Sequence, residues 1–253
     1  MIARAAALLG ASIVALSLVG CAVVGPTVQT SAVFAAVPWR VGERLEYRLM
    51  NTDGQQIGVG VLTVQQGADA NHLVLGQAYS GMPAEGAKPT GDTIALTVDA
   101  KTLAPTQGVR DTSSRDTSGG LVSARTAWSY QSDGDRVRLT TQVEGGGAGS
   151  LVVGAQAYDN EASLWLWRGI AFTEGYEQTY ASVNPFARTQ QAVTLRAPQQ
   201  EKVTVPAGTY DTWRILLRNG RAVRTAWISV APPHEVVRWD NGDVLFELVK
   251  SEK

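Results

Sequence analysis

Beyond residue 40 the chain alternates. In RLEYRL, residues 44–49, Leu45, Tyr47 and Leu49 fall on one face and Arg44, Glu46 and Arg48 on the other, the period-two pattern of a half-buried strand. IGVGVLTV (57–64) predicts its partner, and Gly58 and Gly60 leave one face bare for close packing or for a ligand. HLVLGQAY (72–79), TIALTV (93–98), LVSARTAWSY (121–130) and DRVRLTTQV (135–143) continue the series. The intervening SGMPAEGAKPTGD (80–92), RDTSSRDTSGG (110–120) and GGGAGS (145–150) lack the apolar content to pack and predict surface loops.

The last fifty residues predict a five-strand antiparallel meander over 201–250. RNGR (218–221) is a type I′ hairpin signal. With Arg218 opposite Arg221, it places Trp213, Ile215 and Leu217 on one face with Ala222, Ala226 and Ile228, interrupted by Arg224. DNGD (240–243) predicts a second turn, with Trp239 opposite Val244, Val237 opposite Phe246, and Arg238 diagonal to Glu247. VPAGT (205–209) fits a type I turn with Pro206 second and Gly208 fourth. One helix is predicted, DNEASLWLWRGI (159–170), with Asp159 or Asn160 capping it and Glu161 at its positive end. Trp165 and Trp167 cannot share one helical face, so this segment is either deeply embedded or offered to a partner. The predicted fold class is therefore mainly β: an antiparallel curved sheet, partial barrel or sandwich with one short helix, forming a single domain over residues 38–253.

Composition supports this and removes one function class. Hydrophobic residues make up 44% and glycines number 26, enough for a core and for many turns. Lys and Arg number 22 against 23 Asp and Glu, so the basic surplus that nucleic acid demands is missing, and no nucleic-acid partner is expected.

The N-terminus follows a different pattern. Residues 1–20 carry Arg4 and then no charge, the layout of an export signal. Leu18-Val19-Gly20-Cys21 follows and resembles the lipobox of bacterial lipoproteins. That resemblance implies that Cys21, the sole cysteine, is the lipid attachment site and the mature first residue. Each buried methylene contributes about 0.8 kcal/mol, so two or three acyl chains hold a domain at a bilayer. Residues 21–37 then form the lipidated N-terminus and an uncharged tether. Two alternatives stand beside this: an uncleaved anchor over 5–24, and ordinary cleavage after Val33-Phe34-Ala35. The expected location is the extracytoplasmic side of a cell-envelope membrane. It is the outer membrane in a cell that has one, since Ala22 is not the aspartate that retains lipoproteins at the inner membrane.

VGERLEYRL, LTVDAKTLAPTQGVR, YDNEASLWLWRG, VTVPAGTYDTWRI and TAWISVAPPHEVVRW, in that order, resemble the bacterial envelope proteins of domain-of-unknown-function family 3108. The resemblance implies an exported, mostly antiparallel β domain and brings no catalytic residues with it.

Chemistry is sparse. HEVVR (234–238) imitates a zinc-protease motif but has Arg238 where the second histidine belongs, and it lies in a predicted strand. Asp133-Gly134-Asp135 opens like a calcium loop, but Val137 takes the next ligand position. GGGAGS lacks the lysine of a phosphate loop. No metal, cofactor or catalytic group is expected, and an enzyme would require His72 or His234 to meet a carboxylate or hydroxyl in a cleft. The seven tryptophans either fill a large β core or help line a cavity; in the second case Trp128, Tyr130, Trp165 and Trp167 are the candidate ligand-binding residues. The expected function is a non-catalytic lipoprotein binding a hydrophobic ligand or an envelope component. An accessory subunit that binds another envelope protein is the alternative, and an unrecognised hydrolase the third.

Overall fold

The computed structural model describes residues 23–24, 32–81, 91–115 and 118–252; Cys21 and the leader lie outside them. The strands in chain order are β1 (Val23–Val24), β2 (Arg44–Met50), β3 (Gln56–Gln66), β4 (His72–Gly81), β5 (Gly91–Asp99), β6 (Pro105–Arg115), β7 (Leu121–Asp133), β8 (Arg136–Val143) and β9 (Ala148–Gly154). After these come β10 (Tyr158–Asp159), a helical segment at 160–169 with α1 (Ser163–Leu166) at its centre, and then β11 (Tyr176–Asn184), β12 (Thr189–Val205), β13 (Gly208–Asn219), β14 (Ala222–Ser229), β15 (Val236–Asp240) and β16 (Leu245–Glu252). All strands belong to one sheet in which β2–β9 and β11–β16 are two antiparallel meanders, joined where β16 pairs with β2.

The predicted mainly antiparallel sheet with one short helix is therefore what the chain forms. β2 alternates buried and half-buried positions as its sequence requires, with Leu45, Tyr47 and Leu49 inward. Glu247 on β16 binds Arg48 on β2 at 2.6 Å and Arg238 on β15 at 2.5 Å, which clamps the seam between the meanders.

The sheet curls until its ends meet, but no ladder among the described residues closes it; β1 and β10 are its terminal strands. Side chains bridge the gap instead. The Gly154 N–H donates to Gln190 Oε1 at 3.1 Å and Thr141 Oγ1 to the Pro185 carbonyl at 2.8 Å. Phe186 packs edge-on to Trp128 at 5.2 Å and lies under the Arg110 guanidinium at 4.7 Å.

Several boundaries differ from the sequence expectation. Residues 110–115 extend β6 rather than forming a loop. Residues 111–114 are polar on both faces and half-buried to exposed, so no apolar alternation marks them; Asp111 pairs across to Arg125 at 2.9 Å. Residues 148–150 likewise open β9. In the two late hairpins the register moves by two. Asn219 faces Ala222 around a Gly220-Arg221 turn, and Trp239 faces Phe246. A shift of two leaves every side chain on its expected face, so Ile215, Leu217, Ala226 and Ile228 are all buried. The turn takes Gly220 at its first central position with φ of 58°, an arrangement two-residue hairpins favour. The Val205–Gly208 turn and the five-strand meander stand as expected.

The interior is blocked at one end. The helical segment runs inside the curl with Ala162, Trp165, Leu166, Trp167 and Arg168 buried. Residues 33–36, part of the expected tether, lie against it: Val33 is in the core, and the Ala35 and Ala36 N–H groups donate to the Gly169 carbonyl at 2.8 and 3.2 Å. The same uncharged composition that reads as a spacer also suits a cover for apolar surface. Arg168 is fully buried and pairs bidentately with Glu43 just before β2, at 2.6 and 3.0 Å. It also donates to the Pro233 and His234 carbonyls at 3.1 Å each. The guanidinium stands 5.5 Å over the Trp39 ring.

Removing one partner of a buried, hydrogen-bonded ion pair strands the other charge, at a cost of about 3–5 kcal/mol. Glu43→Gln and Arg168→Met are each expected to lower the urea-unfolding free energy by about that much, and the double variant by less than the sum of the two. Strictly additive losses would show that the pair is not energetically coupled.

Candidate functional site

The turns at 51–55, 144–147, 185–188, 220–221 and 241–244 gather at the end opposite the plug. There the curl leaves a cleft of about 300 Å³, at the lower end of the ~300–1,000 Å³ range of small-molecule sites. Its floor is apolar, with Leu164, Trp167, Val193, Leu217, Trp239 and Phe246 among its lining residues. Trp167 and Trp239 meet at 4.8 Å with their rings tilted by 56°, and Phe246 meets Tyr79 edge-on at 5.8 Å.

The wall is polar. Asp92 on β5 and Arg110 on β6 form a two-point pair at 2.8 and 2.6 Å. Tyr79 donates to Gln77 Oε1 at 2.6 Å, and Gln77 Nε2 donates to the Glu161 carbonyl at 2.6 Å, which ties the sheet wall to the start of the helical segment. Asn219, Arg224 and Asn241 stand at the mouth. Arg224 is exposed and has no ion-pair partner among the described residues.

Beside the cleft, Asp159 organises the helix entrance. Its Oδ1 caps the Glu161 N–H at 2.8 Å, as expected of the N-cap. Its Oδ2 accepts from Trp128 Nε1 and the Tyr130 hydroxyl, both at 2.8 Å. The Trp128 indole reaches it by lying flat across Gly108, where a side chain would come within 2.2 Å of the ring. Burial pushes the Asp159 carboxyl up to about 6 against these three hydrogen bonds. Glu161 is pushed up to about 7, mainly by burial and then by the neighbouring Asp159 charge. The cleft wall therefore holds an acid that is half protonated near neutrality and able to donate or accept a hydrogen bond.

Of the four candidate ligand-binding residues, Trp167 lines the cleft, Trp128 and Tyr130 are joined to Asp159, and Trp165 is wholly buried beneath. The helix with two tryptophans on different faces is the embedded case. Tyr79, Leu217, Arg224, Trp239 and Phe246 share no motif in the sequence; only the alternating register of β4, β13, β14, β15 and β16 points to them. Both histidines are elsewhere. His72 Nδ1 lies 2.8 Å from Asp69 in an exposed turn, and His234 Nδ1 lies 3.0 Å from the Ser229 carbonyl at the plugged end. Among the described residues no three metal-ligating side chains cluster, and no helix is long and apolar enough to cross a membrane.

The sequence pattern of the family described as "Protein of unknown function (DUF3108)" matches residues 44–249. The chain belongs to that family. This DUF3108 domain also shares its fold with a β-barrel-like protein of domain of unknown function DUF1849 from Brucella abortus: TM-score 0.53, 13% identity, covering 87% of this chain and 98% of that one. A putative exported protein with YmcC-like fold from Bacteroides fragilis aligns at TM-score 0.30 and 12% identity over 87% of this chain and 100% of its own. No curated protein matches the DUF3108 chain.

The two raised carboxyls give stability a definite pH dependence. Their folded values lie above the ordinary ones of 3.8 and 4.5, so between about pH 4 and 7 these two groups hold more protons in the folded chain than in the unfolded one. Their contribution to stability falls as pH rises through that window. Unfolding followed from pH 5 to 7.5 should show the folded DUF3108 domain losing stability, and Glu161→Gln should flatten the slope. A slope unchanged by the substitution would remove Glu161 from the titrating pair.

Proposed function

We propose that this protein is an extracytoplasmic, lipid-anchored binding protein that holds one hydrophobic or amphiphilic molecule in the cleft, without catalysing a reaction. The observation that carries the ligand half is an interior plugged at one end and open at the other, where an apolar floor meets a polar wall. Such a shape suits a molecule with an apolar segment and a small hydrogen-bonding head. Trp167, Trp239 and Phe246 would receive the segment, and Glu161, Asn219 and Arg224 the head. At about 300 Å³ the space fits part of an acyl chain or a compact amphiphile rather than a whole two-chain lipid. On this reading the Asp159 and Glu161 carboxyls serve the helix start and the ligand's head rather than a reaction, and neither histidine lines the cleft.

The anchor half rests on Cys21 following small residues at the end of an apolar leader. The core adds support. Cleavage after Ala35 would remove Val33, which is buried, and Phe34, which packs at 6.1 Å from Trp39, whereas cleavage before Cys21 keeps both.

Two measurements test the two halves. Metabolic labelling with a radiolabelled fatty acid should mark the wild-type chain and not Cys21→Ser, which should leave the membrane fraction; equal labelling of both would defeat the anchor. For the ligand, titration of delipidated protein with a lysophospholipid should change Trp167 and Trp239 fluorescence saturably. Ala222→Trp, which fills the mouth, should weaken binding tenfold or more without lowering the unfolding midpoint. Identical titrations of the two proteins would exclude the cleft as the site.

A further inference from the structure

We propose that the cleft opens toward the bilayer to which the chain is anchored, with the hairpin tips around its mouth resting in the lipid interface. This rests on the anchoring reading above and adds an orientation that the anchor alone does not supply. The first observation is strand direction. β1 pairs parallel with β9, Val23 beside Leu151 and Val24 beside Val152. β9 starts from the 144–147 turn at the cleft end and runs toward the plugged end, so β1 runs the same way. β1 therefore enters the sheet from the cleft end. In sequence only Ala22 separates Cys21 from Val23, and two residues span at most ~7 Å. On the anchoring reading, the acylated residue therefore starts on the cleft-end side of β1.

The second observation is independent of the leader. Nine large hydrophobic side chains are exposed among the described residues. Ile57, Val59, Leu121, Val122, Val143 and Val223 stand on strand segments next to the cleft-end turns, and Leu121 and Val223 are the most exposed of all, at 69% and 60%. Val37, Val41 and Val249 are the others. Apolar side chains flanking the turns of one end, beside amphipathic Arg221 and Arg224, match an interfacial surface, where aliphatic groups enter the acyl boundary and polar and guanidinium groups stay at headgroup level. Asp53, Glu144, Asp240 and Asp243 share this end, so the contact is apolar rather than driven by charge. A mouth facing the bilayer lets a chain segment pass from membrane to cleft without crossing water.

The test uses the full-length protein purified from its membrane and reconstituted in phosphatidylcholine vesicles containing brominated-chain lipid. Single-cysteine variants carry an environment-sensitive fluorophore at the cleft end (Leu121→Cys, Val223→Cys) or at the plugged end (Lys101→Cys). An acylated Cys21 has no free thiol, so each chain takes one label. Labels at 121 and 223 should be quenched at least threefold more than the label at 101, and high salt should leave the difference unchanged. With one label per chain and the mass of an acylated Cys21 N-terminus, equal quenching at all three sites, strongest quenching at 101, or quenching at none would overturn the orientation alone; a chain beginning at Ala36 would overturn the anchoring reading. Two labels per chain would reveal a free Cys21 and overturn the anchoring reading together with the orientation built on it.

Discussion

The Glu43–Arg168 pair sets the shape of the interior. A guanidinium in the core is tolerable only if its donors are satisfied, and Arg168 meets this with Glu43 and the carbonyls of Pro233 and His234. These partners come from the approach to β2 and from the 230–235 loop, so one side chain pins the helical segment to both meanders at one end. Trp39 covers the guanidinium and Phe34 packs against Trp39. That end is therefore sealed by a geometry with little tolerance, and the free space of the curl is displaced to the other end, where the cleft lies.

Asp159 works at the opposite end of the same segment. As an N-cap it needs only one bond, to the Glu161 N–H; the two from Trp128 and Tyr130 tie the helix start to β7. Because β10 pairs with β11 at Asp159–Val183, the residue also links the terminal strand β10 to β7 across the curl, where no ladder among the described residues does so. The cost is a buried carboxyl whose charge is disfavoured; Glu161 is raised first by its own burial and then by the charge on Asp159. The titratable character of the cleft wall thus comes from enclosing the helix start, with the cap adding to it.

Face was legible in the sequence where register was not. Period-two alternation assigns Ile215 and Leu217 to the core whether the turn centre lies at 219–220 or 220–221, because a shift of two preserves parity. The same argument explains why Arg238 and Glu247, expected on a diagonal, stand directly opposite yet on the expected face. What alternation could not reach is the exposed part of β6, where both faces are polar, and the role of residues 33–36, whose apolar character suits a tether and a core cover equally. The cleft was legible only at Trp167. Its remaining walls come from β4–β6 and β11–β16, far apart in sequence and brought together only once the sheet curls.

The tryptophan content follows from the same geometry. A curl built from this many strands encloses more width than inward side chains of the strands alone can fill; barrels of comparable strand number leave a channel. A helical segment inserted along the axis takes up that width, and it must carry large side chains on more than one face, since sheet surrounds it. Trp165 and Trp167, unable to share a face, meet this requirement: Trp165 is wholly enclosed and Trp167 turns toward Trp239. The cleft is the part of the lumen that the segment does not reach, which is why its floor is made of the plug's own aromatic surface. A pattern that would be an error in a surface helix is here the device that turns a channel into a closed-ended site.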